Sequence, residues 1–263
     1  MKNLDALNPA LAQPRTFSST IAFLPFLLGL VCLPLAFAAA PTLPFERNIL
    51  ALLCAAQSLI SVILMIVPRF FHWDWRSKYF GVTLFCVGST AVVGVIPWLG
   101  IVIFSDLNIS FRFMLLLGYA VAVTWWCRRF VKHYRRIFND PTMRSEVYKE
   151  EEDAIYYMQQ GDKLLFEKRL KLDQFPPNTL SIVFLLLALL TVPFATALSN
   201  FVGASFINIF LSVAGVPIVL MSLGLGVRGY LIFYYYPWRL KRSTGKDVYV
   251  LMAKETRDVE APK

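Results

Sequence analysis

Six long apolar runs, none containing an aspartate or a glutamate, constrain the fold of this chain more than any other feature. They cover residues 19–40, 49–67, 80–104, 110–127, 180–199 and 207–227. Each is close to the roughly 20 residues that an α-helix needs to cross the hydrocarbon core of a bilayer. Lipid cannot satisfy backbone polar groups, and the runs lack the polar and apolar alternation of barrel strands. They therefore predict transmembrane helices.

The composition excludes an ordinary soluble domain. Hydrophobic residues make up 57% of the 263 residues and charged residues only 16%, whereas roughly a quarter of a soluble domain is charged. The predicted fold is an all-α, polytopic transmembrane helix bundle of about six spans. It divides into an N-terminal leader with helices one to four (1–127), a small helical segment (128–178), helices five and six (179–238) and a basic tail (239–263).

The distribution of charge predicts the orientation of the bundle. The predicted outer side carries Arg47 and, at the start of the fourth span, Arg112. The inner segments hold eleven lysines and arginines from Arg128 to Lys171 and seven from Arg239 to Lys263. This positive-inside pattern places both termini and the 128–178 segment in the cytoplasm. We expect a multi-pass protein of a bacterial-type inner (plasma) membrane, and we attribute the net charge of +9 to this asymmetry rather than to nucleic-acid binding.

A cleaved signal peptide is the alternative interpretation of the first run. The run ends in alanines at positions 36 and 38–40, whose spacing resembles a cleavage site. Cleavage would leave five spans without changing the orientation of the others.

Two inner segments combine cations with aromatic or apolar residues, a composition that suits the headgroup layer. After span four, the apolar spacing predicts a basic amphipathic helix that either lies along the inner leaflet or continues span four into the cytoplasm. We predict that the two segments contact anionic lipid or a protein partner. The predicted contact residues are Trp73, Trp75, Arg76, Arg128, Arg129, Lys132, Arg135 and Arg136.

The rest of the inner segment has its own local signals. Asp140 and Pro141 are typical of a helix start, and this helix is predicted to run to Gln160, before Gly161. Residues 163–172 fit a strand or a helix equally well. We expect the segment to lean on the membrane or on the C-terminal tail, with acidic residues facing basic ones, and the tail itself to be partly disordered.

Small residues recur every four positions at the end of span five, at Ala195, Ser199 and Gly203. Such a stripe lets another helix approach closely, so span five is predicted to be buried. A partner helix within the chain is the simpler interpretation, a second copy is the alternative, and the oligomeric state stays open. Arg228, at the inner end of span six, is expected to extend its side chain to the headgroups.

No constellation in the sequence predicts catalysis, a cofactor or a metal site. The two histidines, His72 and His133, lie far apart in sequence, and the four cysteines are dispersed among the spans. No predicted span contains an acidic residue, which disfavours a transporter coupled to protons or cations.

The hypothesis that remains is a non-enzymatic membrane protein that acts by binding protein or lipid. One class of protein with this architecture is the immunity protein that protects a cell against a membrane-targeting toxin. This analogy rests on architecture alone. A channel or transporter component without acidic coupling residues is the alternative. An enzyme acting on lipid through His72 or His133 is a third hypothesis.

Overall fold

The computed structural model describes residues 14–163, 165 and 178–251 of the chain. Within these residues, six helices are long and apolar enough to cross a membrane: Thr16–Ala39, Ile49–Phe70, Ser77–Phe104, Ile109–Asn139, Asn178–Val202 and Val216–Thr244. The chain is therefore an α-helical bundle of the multi-pass membrane type, with one minor sheet. The fold class predicted from the sequence is confirmed.

Several of these spans are built from more than one regular element. The helices are α1 (Pro14–Ala39), α2 (Ile49–Phe70), α3 (Ser77–Gly88), α4 (Thr90–Phe104), α5 (Ile109–Asn139), α6 (Pro141–Val147), α7 (Gln159–Lys163), α8 (Asn178–Thr191), α9 (Ala195–Val202), α10 (Phe206–Ala214), α11 (Val216–Gly229) and α12 (Tyr236–Thr244). Short 3₁₀ turns occupy Phe45–Arg47 and Val192–Phe194, and a π-helical segment, Tyr230–Tyr235, joins α11 to α12.

Spans three and six form the centre of the bundle, where α3 and α4 pack against α11. The two backbones touch at a pair of glycines, because a Cβ atom added at Gly226 would lie 2.8 Å from the Cα of Gly88. One turn away, the hydroxyl groups of Thr90 and Ser222 are hydrogen bonded at 2.9 Å. Small residues thus bring these two spans into close contact, as they do at other membrane helix interfaces.

The remaining spans flank this centre on two sides. α1 and α2 form a hairpin that packs on α4, while α5 contacts α11 and α8 contacts α10. The hairpin is closed by the buried Asn48. Its side-chain oxygen accepts from the backbone of Leu50 and Ala51, and its amide donates to the carbonyl of Ala36 at 2.9 Å. An N-cap of this kind satisfies backbone donors that the first helical turn leaves free.

Within the described residues span five is mostly exposed, so the prediction that other helices of the same chain bury it is wrong. Ala188 is the only buried residue of α8, and α9 has none. The 3₁₀ turn at Val192–Phe194 separates α8 from α9, so Ala195 and Ser199 lie on a short helix of eight residues rather than on a face that runs along the whole span. Gly203 is the C-cap of α9, with φ of 66° and its N–H bonded to Ser199, rather than a helix-packing residue.

The structure also corrects the predicted 141–160 helix, which ends at Val147. The chain then forms strands β1 (Tyr148–Glu150) and β2 (Ile155–Met158), which pair antiparallel. A third strand, β3 (Val248–Leu251), comes from the predicted disordered tail and pairs parallel with β2. The tail helix α12 precedes it, and Gly161 lies inside α7. Residues 166–172, whose strand or helix assignment was left open, lie outside the described residues.

One end of the bundle carries this sheet together with a large aromatic cluster, and we call this end the polar module. It comprises the loop before α3, the end of α5, the chain from α6 to α7, and the chain from Tyr230 to Leu251. Its buried cluster includes Trp75, Phe80, Trp126, Phe130, Tyr134, Phe138, Tyr148, Tyr157, Phe233, Tyr236 and Val250. Segments distant in sequence are therefore held together by one apolar core.

Candidate functional site

A buried ion pair lies at the junction between the polar module and span six. Arg228, in the last turn of α11, donates from Nη2 to Oδ2 of Asp162 at 2.7 Å. Tyr157 donates its hydroxyl to the same oxygen at 2.8 Å, and Tyr134 reaches Oδ1 at 3.3 Å. Asp162 is fully buried, and 17% of the Arg228 side chain is exposed. We call these four residues the buried ion-pair cluster.

The cluster corrects the expectation that Arg228 extends to the headgroups. Its guanidinium group points into the protein because Asp162, from α7, supplies an opposite charge there. Removing a carboxylate from water costs several kcal/mol, and such a group is retained only with a cation and hydrogen-bond donors around it. The cluster therefore ties α5, β2 and α7 to the end of span six.

Buried tyrosines complete this junction. Burial and the nearby charge of Asp162 raise the pKa of Tyr157 and of Tyr148 well above its usual value, so both hydroxyls stay protonated and act as donors. Tyr148 donates to the carbonyl of Ile232 at 2.6 Å. That carbonyl belongs to the π-helical segment Tyr230–Tyr235, a kind of irregularity that is frequent at functional sites.

An open groove lies on the polar module, between the end of α5, α6 and α12. We call it the arginine groove. Phe138 forms its floor and stacks on Tyr236 at 4.3 Å between ring centroids. The guanidinium groups of Arg239 and Arg144 lie 5.0 and 5.6 Å from the centroid of the Phe138 ring. The other lining residues are Tyr235, Trp238, Leu240, Arg242 and Ser243. The groove thus combines cations with aromatic surface.

The predicted surface arginines of α5 lie on a helix that continues span four without a break. Phe130, Tyr134, Ile137 and Phe138 are its buried residues in this part. The exposed residues include four of the predicted contacts, Arg128, Lys132, Arg135 and Arg136. Arg129 is half-buried, with its guanidinium group 5.4 Å from the centroid of the Trp126 ring. Of the two arrangements left open, the continuation of span four is therefore the one observed.

The loop before α3 is more enclosed than predicted. Trp75 is buried and packs on Phe80 at 5.9 Å between ring centroids, so its ring is not available to headgroups or to a partner. Trp73 is half-buried and stacks on Tyr79 at 4.8 Å. Arg76 lies 3.3 Å from Asp74 and 4.0 Å from Asp247. The structure thus places two of these three residues in contacts that hold the polar module together.

The titratable groups considered for chemistry do not converge. His133 has its Nδ1 2.7 Å from the carbonyl oxygen of Arg129, and His72 lies in an exposed turn with φ of 46°. The four cysteines are free. Across residues 14–163, 165 and 178–251, no three histidine, cysteine or acidic side chains are grouped so that they could hold a metal ion.

The sequence alone did not identify Asp162 or the arginine groove. Arg228 stands out in the sequence as a cation at the end of a long apolar span, but nothing in the sequence indicates Asp162 as its counter-charge. The comparisons with known proteins add no analogy, since no family model, curated protein or solved structure matches the chain.

Proposed function

We propose that this chain is a non-enzymatic protein of a bacterial inner membrane that acts by binding a partner, with its polar module in the cytoplasm. The orientation is supported by the excess of lysine and arginine on the segments that form the module. The observation that carries the proposal is the closed centre of the bundle. Gly88 and Gly226 touch backbone to backbone, which leaves no space for an aqueous path between spans three and six.

Polar side chains within the spans support the same proposal. Several of them pair with each other inside the bundle rather than lining a channel. Ser18 is bonded to Thr83 at 2.8 Å, and Ser89 donates to Gln57 at 2.9 Å. Interhelical hydrogen bonds of this kind hold membrane helices together. Because these polar groups are hydrogen bonded to each other inside the bundle, we expect the protein to act by binding a partner at its outer surfaces.

An immunity protein against a membrane-targeting toxin is the class of binding protein that we favour. The buried ion-pair cluster supports it, because a module anchored to span six is a preformed surface, and preformed surfaces lose little conformational freedom on binding. Such a protein has to recognise a toxin at or within the same membrane.

Expression of the chain alone in sensitive cells tests this proposal. The cells are challenged with any toxin that is encoded beside its gene, and survival is counted. We expect protection by the native chain and by Glu150→Gln, which changes only an exposed ion pair. We expect reduced protection by Asp162→Asn at matched membrane levels of protein. Unchanged killing in cells that hold the native chain in their membrane would contradict the immunity assignment.

One observation favours the alternative, a channel or transporter component. Asn208, in α10, is 1% exposed, yet neither its amide nitrogen nor its oxygen has a hydrogen-bond partner among the described residues. A buried polar group of this kind calls for an explanation such as water or a solute. Liposomes containing the purified chain test the alternative. Solute or ion flux that disappears in Asn208→Leu supports it, and the absence of flux, alone or with neighbouring gene products, counts against it.

A further inference from the structure

The arginine groove holds three cations that have no acidic partner among the described residues. Arg144 and Arg239 both lie over Phe138, and the Arg242 guanidinium group lies 5.7 Å from the centroid of the Trp238 ring. The described ion pairs of the polar module involve other cations, namely Arg76, Lys149, Arg228, Lys241 and Lys246. Aromatic rings attract cations but do not neutralise them. Counting only the described part of the chain, the groove therefore keeps uncompensated positive charge on one small surface.

The chemistry of the groove selects a particular kind of anion. A guanidinium group is a planar fork of donors that matches the oxygens of a phosphate, and its charge persists at all physiological pH values. Phe138 and Trp238 hold these forks over apolar surface rather than letting them extend freely into water. The combination favours a phosphate group that carries an apolar or amphipathic remainder.

The surroundings of the groove indicate where such a phosphate comes from. Tyr230, Tyr234 and Trp238 recur every fourth residue at the end of span six, and their exposed fractions are 41%, 47% and 53%. Exposed tyrosine and tryptophan at the end of a span are typical of the headgroup layer, where one part of the ring meets lipid and the other water. Trp238 also lines the groove. The aromatic residues thus lead from the end of the hydrocarbon core to the three arginines.

We propose that the arginine groove binds the phosphate headgroup of an anionic phospholipid in the leaflet beside the polar module. Arg239 and Arg242 bind the phosphate oxygens, Arg144 adds a third cation, and Trp238 packs on the glycerol and upper acyl region. This site differs from the diffuse contact predicted for the basic face of α5, because it is a discrete site of limited capacity. It does not depend on the identity of any protein partner.

Titration of the full chain, purified in a neutral detergent, tests the proposal. The probes are short-chain phosphatidylglycerol, short-chain phosphatidylcholine and inorganic phosphate, and the readout is the Kd from calorimetry. We expect phosphatidylglycerol to saturate one site and phosphatidylcholine to bind at least about tenfold more weakly, because its choline cation offsets the charge of the same phosphate and is repelled by the three arginines. Because this measurement needs neither a toxin nor a defined orientation, its result is independent of the immunity proposal.

Paired variants locate the site. Arg239→Gln/Arg242→Gln removes two exposed cations from the groove and is expected to weaken phosphatidylglycerol binding by about tenfold or more. The matched control, Lys149→Gln/Lys246→Gln, removes two cations of the same module that already pair with Glu151 and Glu150, and should leave the Kd nearly unchanged. If the double variant elutes as aggregate, Arg242→Gln alone is used, since this side chain is exposed in the last turn of α12.

Three results would overturn the proposal. Equal weakening by the control variant would indicate non-specific attraction to the net charge. Binding of inorganic phosphate as tight as that of the lipid would make the groove a site for a soluble anion. Displacement of the lipid by an acidic peptide at equal concentration would point to a protein partner instead.

Discussion

Asp162 is fully buried, so neighbouring side chains supply all of its hydrogen-bond and ion-pair partners among the described residues. Arg228 supplies the counter-charge, and the hydroxyl groups of Tyr157 and Tyr134 supply two donors. A buried pair of this kind is weak evidence for net stability, because desolvation offsets much of the attraction. We infer that the pair contributes structural specificity, because Arg228, Tyr157 and Tyr134 meet the Asp162 carboxylate at one place in the module.

Removing one member of this pair should destabilise the protein more than removing any exposed pair. We predict that Asp162→Asn lowers the free energy of unfolding by about 3 kcal/mol, because it leaves the Arg228 guanidinium group buried without its counter-charge. The measurement is denaturant unfolding of the purified chain in detergent. The control, Glu150→Gln, breaks the exposed pair with Lys246 and should cost less than about 1 kcal/mol.

A double replacement separates the loss of charge from the loss of shape. Asp162→Leu/Arg228→Met replaces the pair by apolar groups, which often restores stability after a buried pair is removed. It should therefore be more stable than Asp162→Asn. Equal effects of Asp162→Asn and Glu150→Gln would show that the pair does not hold the module in place.

Asp247 makes the polar module sensitive to acid. The hydrogen bond from Lys241, with the charges of Lys241 and Arg76 nearby, lowers the pKa of this carboxyl below its ordinary value of 3.8. A carboxyl with a lowered pKa stabilises the folded state when the pH is above its ordinary pKa. This contribution is lost as the pH falls through the folded pKa. The native protein should lose less than about 1 kcal/mol of its free energy of unfolding as the pH falls through the folded pKa. We predict that Asp247→Asn does not show this loss. Unfolding midpoints at a series of acidic pH values test this, and parallel curves for the two proteins would argue against it.

Spans three and six approach each other closely at a pair of glycines. Gly88 and Gly226 bring the backbones of α3 and α11 into contact, and Gly229 faces Leu84 one turn further along. None of these glycines has room for a side chain, because atoms of the facing helix occupy the space where a Cβ would lie. The pairing of α3 with α11 is therefore sensitive to added volume.

A single added methyl group should separate these two helices. The Cβ of Gly88→Ala would collide with the backbone of Gly226, which cannot move as a flexible side chain does. We predict a loss of about 1–3 kcal/mol in the free energy of unfolding, the usual cost of overpacking. Gly118→Ala is the matched control, because nothing lies within 4 Å of the added Cβ. Similar unfolding midpoints for the two variants would contradict the close contact.

The sequence predicted well those elements whose structure depends only on whether water or lipid surrounds them. An acid-free apolar run has to be a membrane helix wherever it packs, so the spans could be found without knowledge of their neighbours. The strands could not. Tyr148, Ile155 and Val248 lie in short segments that become strands only by pairing with one another, and β3 is almost a hundred residues from its partner in sequence. Local spacing carries no information about such pairing.

At the scale of the whole molecule, the site was harder to predict than the fold for the same reason. Arg228 stands out in the sequence, but Asp162 does not, because its importance arises only when α7 folds against the end of span six. The composition of the loop before α3 predicts that Trp75 lies at the membrane surface. In the structure Trp75 is buried, and its carbonyl accepts a hydrogen bond from the backbone N–H of Val250 in β3 at 2.8 Å. Burial of a surface-type residue depends on the entire fold.

Labelling of single cysteines in intact cells tests whether the polar module of this six-span bundle lies on the cytoplasmic side. In a variant without the four native cysteines, Glu150→Cys reports on the module and Thr42→Cys on the exposed loop between α1 and α2. If the module is cytoplasmic, a membrane-impermeant maleimide will label Thr42→Cys in intact cells and Glu150→Cys only after lysis. Labelling of Glu150→Cys in intact cells would contradict it.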